Sequence, residues 1–151
     1  MDELTKIINL FEENFEIEQE YTRPEIVAFF KRNGIGKNSR NPSSFSYNRV
    51  NDGTMYFLPL FDLLAQGIYV YRGPNFKFNG DLHHKANGQK ELIHVGTWNN
   101  GILNLHGPIP KELSREKIEQ SLVQIIIYDA RRKLIPLKEH FDFLIDKMNL
   151  N

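Results

Sequence analysis

The chain has 151 residues, 40% hydrophobic and 25% charged, which suffices for one domain with a sizeable core plus an appendage. The 19 Lys and Arg balance 19 Asp and Glu, which excludes a wholly acidic DNA mimic and a histone-like coat, and the absence of cysteine excludes disulfide scaffolds, zinc–thiolate sites and thiol catalysis. No apolar run approaches the roughly 20 residues of a membrane span and Met1-Asp2-Glu3-Leu4 lacks a basic leader, so a cytoplasmic protein with no membrane partner is expected.

The zero net charge hides a strong asymmetry. Residues 1–20 hold seven acids and one Lys, a net of −6. Residues 21–50 hold Arg23, Lys31, Arg32, Lys37, Arg40 and Arg49 against Glu25 alone, a net of +5. A basic block beside an acidic one binds a polyanion through one face, or the two blocks pair with each other.

In chain order, Leu4, Ile7, Ile8, Leu10, Phe11 and Phe15 are spaced for an amphipathic helix over 3–15. Thr22-Arg23-Pro24-Glu25 is a capping box with Pro in the first turn, and the second helix should stop at Gly34. Residues 37–44 read as a basic polar loop, followed by a short third helix from about Pro42 to Val50 capped by Asn41 and terminated by Asn51-Asp52-Gly53. Residues 55–64 and 68–72, around Ala65-Gln66-Gly67, read as a hairpin. Asn87-Gly88 and Asn100-Gly101 are type I′ turn dipeptides, which predict a meander with strands at about 81–85, 91–98 and 102–106. Ser114 caps a helix running to about Lys133, and Pro136 starts a last one. The expected fold is therefore α+β, divided into a winged helix-turn-helix-like half (1–78), an antiparallel β-meander packed on it (79–107) and a C-terminal appendage of two helices (108–151).

Helix, capped helix, basic loop, short polar helix and hairpin is the order of a winged helix-turn-helix. In the short helix Asn41, Ser43, Ser44, Tyr47, Asn48 and Arg49 offer donors, acceptors, a stacking surface and a guanidinium. Lys37 and Arg40 suit phosphates, and Tyr69, Tyr71, Arg72 and Lys77 give the hairpin the aromatic and basic mix of a wing. The competing reading places the aromatics in the core and pairs Arg49 with an acid. No cofactor is expected.

Residues 21–106 resemble a small, uncharacterised bacterial winged-helix-like domain found fused to restriction and HNH endonucleases. The likeness is carried by Ser46-Tyr47-Asn48-Arg49-Val50-Asn51-Asp52-Gly53, by Gly67-Ile68-Tyr69-Val70-Tyr71-Arg72-Gly73 and by Gly96-Thr97-Trp98-Asn99-Asn100-Gly101. Asp52 stands where that domain commonly has Lys, and Leu64-Ala65-Gln66-Gly67 lacks the Arg of its hairpin turn. The resemblance implies a DNA-directed module of bacterial defence, phage or mobile elements, with no defined reaction.

The histidines mark a second candidate. His83-His84, Asn99 or Asn100, and His106 follow the order of an HNH nuclease. With a two-residue turn at Asn87-Gly88, position 81 pairs with 94 and 83 with 92, so Asp81, His83 and His94 share a face as weak metal-ligand candidates. A metal-dependent nuclease is thus the weakest of three expectations. The first is a non-catalytic module that binds double-stranded DNA. The second is a protein-interaction or inhibitor module acting on a nuclease or nucleoprotein. Ile125-Ile126-Ile127-Tyr128, apolar nearly all round its helix, is either buried or the seam of a homodimer through the C-terminal helices.

Overall fold

The computed structural model describes residues 3–35, 41–51, 57–85, 90–108 and 114–149. Among these residues three α-helices accompany two sheets, a mixed α+β arrangement. Helix α1 (Glu3–Asn14) buries Leu4, Ile7, Ile8 and Phe11. Strand β1 (Glu20–Thr22) leads directly into α2 (Arg23–Asn33). The α2 start is fixed as its sequence requires: Thr22 Oγ1 accepts from the Glu25 amide while the Glu25 carboxylate accepts from the Thr22 amide at 2.7 Å. Gly34 ends the helix in the left-handed region at φ 65°, where a side chain would be strained.

The expected third helix does not form. Asn41 caps a single 3-10 turn (Pro42–Phe45), after which the chain extends and becomes β2 (Arg49–Asn51). Tertiary pairing overrides the local helix signal. The Leu60 amide donates to the Phe45 carbonyl and the Tyr47 amide to the Phe61 carbonyl, both at 2.8 Å, so this backbone is bonded sideways instead of along a helix. Phe45, Ser46, Tyr47 and Val50 are all buried, which no single helical face could achieve.

Strands β3 (Phe61–Ala65) and β4 (Ile68–Tyr71) form the expected hairpin around Gln66-Gly67, and β1 joins it to give the sheet order β1-β4-β3. Residues 57–60, which the sequence reading assigned to the first hairpin strand, are buried but not paired as strand. Strands β5 (Gly80–Lys85), β6 (Ile93–Asn99) and β7 (Ile102–Leu105) form the meander. Asn100 and Gly101, at φ 49° and 83°, make the type I′ turn between the last two. The Asn87-Gly88 turn lies outside the described residues. The β5–β6 register differs from the expected one: His83 pairs with His94 and His84 with Ile93, already two residues off the register of a two-residue turn at Asn87-Gly88, and an irregularity between Leu82 and His83 adds one more, so that Asp81 pairs with Thr97. Strand β2 adds to this meander in parallel with β5, giving a second sheet of order β2-β5-β6-β7.

The two expected C-terminal helices are one continuous helix, α3 (Arg115–Asn149), with Pro136 inside it. Pro136 offers no N–H to the Arg132 carbonyl, but that part of the helix is exposed and water can serve the carbonyl. Leu134, Leu137, Lys138 and Glu139 on either side favour helix.

Two cores result. One joins α1, α2, β3 and β4 around Phe11, which makes ring contacts with Phe15, Phe29, Phe30, Phe45, Phe61 and Tyr71. The other lies beneath the four-stranded sheet, around Tyr47, Leu82, Val95 and Trp98. Helix α3 sends Ile125 into the first core and Ile118 into the second, with Leu122 against both. Tyr128 and Arg132 then tie the helix to Glu12 of α1. No helix among the described residues is long and apolar enough to cross a membrane.

Candidate functional site

A polar groove of about 570 Å³ opens where the β3–β4 turn, the 3-10 turn and the edge of the second sheet meet. Arg23 at the first position of α2, Arg49 on β2 and Lys85 on β5 bring three cations to its lining from three elements. Among the described residues no carboxylate forms an ion pair with any of them. Asn41 and Ser43 line the groove from the 3-10 turn, and the Ser43 hydroxyl lies 2.8 Å from the Tyr69 hydroxyl, which reaches the same space from β4. Asn41 Oδ1 accepts from the Ser43 amide at 3.1 Å, so its capping role fixes its place at the rim.

Arg49 is half-buried, and its Nη1 donates to the Asn48 carbonyl at 2.8 Å. Burial pulls its pKa below the ordinary value, with the nearby Tyr69 acting in the opposite direction. A cation thus desolvated, with no described carboxylate beside it, gains from an anionic ligand.

The other expected contact residues divide. Asn41, Ser43 and Arg49 reach the groove. Lys37 and Arg40 lie outside the described residues. Tyr47 is buried, its hydroxyl donating to the Gly73 carbonyl at 2.6 Å and accepting from the Phe76 amide at 2.9 Å. Asn48 clamps β3, giving Nδ2 to the Leu63 carbonyl and taking the Leu63 amide on Oδ1. The Ser44 hydroxyl is buried without a partner among the described residues. Tyr71 is in the first core, and Arg72 is paired with Glu18 and Asp62 and lies over the Phe76 ring. Lys77 is exposed but does not line the groove. Tyr69, expected among the wing aromatics, lines it, as do Arg23 and Lys85, which were not singled out as contacts. Strand parity offered a signal for Lys85, which stands two residues from His83 on one strand.

The groove continues onto the outer face of the second sheet, since Arg49 is the register partner of His83. Asp81, His83 and His94 share that face as expected, despite the changed register, and His106 joins them. His94 Nε2 lies 2.9 Å from Asp81 Oδ1, and the His83 and His106 rings sit 5.3 and 4.5 Å from the His94 ring. Burial, then the charges of Arg49 and His94, lower the His83 pKa, while Asp81 opposes them. No group of three or more His, Asp or Glu among the described residues is arranged to hold a metal ion, so Asp81, His83 and His94 share a face without forming such a site.

Residues 2–105 match the family described as domain of unknown function DUF7225. A stretch of 63 residues is 33% identical to the uncharacterized protein YnaC of Bacillus subtilis (strain 168). That stretch is 42% of this chain and 24% of YnaC, so the chain spans about a quarter of that relative. No solved structure matches the chain. The family match runs from α1 to the end of β7 and takes in every described residue of the groove, and the chain belongs to the DUF7225 family.

Proposed function

We propose that the groove holds the sugar–phosphate backbone of double-stranded DNA, and that the chain is a DNA-binding module without catalysis of its own, serving a bacterial or phage defence or mobile-element system. The observation that carries this reading is the convergence of Arg23, Arg49 and Lys85 on one polar groove with no described carboxylate paired to them. Phosphates are the anions that such a cluster, with the Ser43 and Tyr69 hydroxyls between, suits best.

The order α1, β1, α2, 3-10 turn and β3–β4, with β4 paired to β1, supports a winged-helix reading of the N-terminal half. In this reading the recognition helix is reduced to the 3-10 turn that presents Asn41 and Ser43, and the turn at Gln66-Gly67 is the tip of the wing. With so short a turn, backbone contacts outweigh base contacts and sequence preference is weak.

The test is fluorescence anisotropy with a labelled duplex of about 25 base pairs, titrated between about 50 and 200 mM salt. Three phosphate contacts predict an affinity loss of about 40-fold across that range. Arg49→Ala and Lys85→Ala should each lower the slope of log K against log salt by about 0.9. Absence of duplex binding at the lower salt, or unchanged slopes in both variants, overturns the reading.

A further inference from the structure

Every residue of α3 from Ala130 to Asn149 is exposed, and beyond the Arg132–Glu12 ion pair at its start none of them packs into either core among the described residues. Its sequence is nevertheless patterned for contact. Leu134, Leu137, Phe141, Leu144 and Met148 alternate in steps of three and four, the spacing of a coiled-coil seam. Leu134, Leu137, Phe141 and Met148 are 57, 62, 61 and 74% exposed. Val123, Ile126 and Ile127, also exposed, carry the same stripe back towards the body. There it meets an apolar groove of about 290 Å³ between α3 and the second sheet, lined by Val123, Ile126, Ile102, Leu103 and Phe76 among others. The stripe lies roughly opposite the side of α3 that buries Ile118, Ser121 and Ile125.

Charge decides what covers it. The positions flanking the seam are Arg131, Lys138 and the apolar Ile145 on one edge and Lys133, His140 and Lys147 on the other. The acids of this half, Glu139, Asp142 and Asp146, fall away from the seam. A parallel second copy would set Lys133 against Lys138, and an antiparallel one would set each basic edge against itself. Both pairings place like charges together, which disfavours self-association.

We propose that the distal half of α3 is a docking arm for an amphipathic helix of another protein, apolar along its seam and acidic on both flanks. Ile135, Phe143 and Ile145 are exposed beside the seam, but the unbroken three–four spacing from Leu134 to Met148 favours a helix that seats side chains between those of the arm over a lipid surface, which has no register to satisfy. The arm lies beyond the family match, which ends at residue 105, so it is an addition to the common domain.

The full chain is titrated into two labelled heptad peptides with Ile and Leu along the seam, one with Glu at every flanking position and one with Lys. The Glu peptide should bind one-to-one and at least about tenfold tighter than the Lys peptide. The combined variant Arg131→Glu, Lys133→Glu and Lys138→Glu should reverse that preference, and Leu137→Asp should abolish binding to both peptides. These side chains are exposed, so the body of the protein should keep its native circular dichroism. Equal binding to the two peptides, binding to neither, a homodimer of the free chain by light scattering, or attachment to phosphatidylglycerol vesicles in place of the Glu peptide would each overturn the proposal.

Discussion

The Tyr47 hydroxyl both donates and accepts inside the protein, to Gly73 and from Phe76, whereas the equally buried Tyr71 hydroxyl has no partner among the described residues. Removing the two hydroxyls should therefore act in different ways. Tyr47→Phe strands a buried carbonyl and a part-buried amide and should cost about 2–3 kcal/mol, while Tyr71→Phe removes an orphan and should be neutral or gain about 1 kcal/mol, both read from urea unfolding. His83 supplies a second test. Its folded pKa lies below its ordinary value, so the unfolded chain binds more protons as pH falls below about 6.5. Its contribution is complete above that pH and is lost towards acid. His83→Gln should flatten the decline of the thermal midpoint between about pH 6.5 and 5, and an unchanged decline refutes the assignment. At this scale the sequence was half legible. Asn41, Ser43 and Arg49 were identified from their chemistry, but Tyr47 and Asn48 have the same chemistry and serve the interior. Side-chain type cannot separate the two uses; the direction in which the backbone turns after Phe45 does.

Elements whose signals are local came through the sequence reading well. The capping box at Thr22 and Glu25, the Gly34 stop and the Asn100-Gly101 turn each rest on residues within a few positions of one another. The third helix failed because its competitor, the pairing of residues 45–47 with 60–61, is not local. The proline at 136 misled for the opposite reason: a strong local signal was outweighed by good helix formers on both sides and by solvent access to the freed carbonyl. That interruption still has a cost. Pro136→Ala should favour the helix by up to about 3 kcal/mol locally. Amide exchange over residues 130–145 should slow markedly, with duplex binding unchanged. Equal exchange in the two proteins would mean that the helix is not strained at this position.

At the scale of the whole molecule, the groove exists because two sheets meet. Arg23 comes from α2, Tyr69 from the first sheet and Arg49 and Lys85 from the second, and β2 brings Arg49 across by pairing in parallel with β5. A three-residue strand pairing with a partner more than thirty residues away leaves almost no trace in a single sequence, so the groove could not be assembled before the fold was in hand. The family match covers this two-sheet unit, whereas the arm extends past it. The groove proposed to bind an anion and the arm proposed to dock a helix therefore occupy separate parts of the chain, and loss of one need not impair the other.

Trp98 is the only tryptophan in the chain, and it is buried in the second core with its Nε1 donating to the Tyr47 carbonyl at 2.7 Å. It also touches the rings of Tyr47, Phe57 and Phe78 and lines the apolar groove beneath α3. The protein thus carries a single indole fluorophore, at the junction where the four-stranded sheet receives both the Tyr47 segment and the long helix. Its emission colour follows the dryness of that junction and little else. Undocking of α3 shifts it towards the red, whereas fraying of α1 or of the far end of the arm leaves it unchanged.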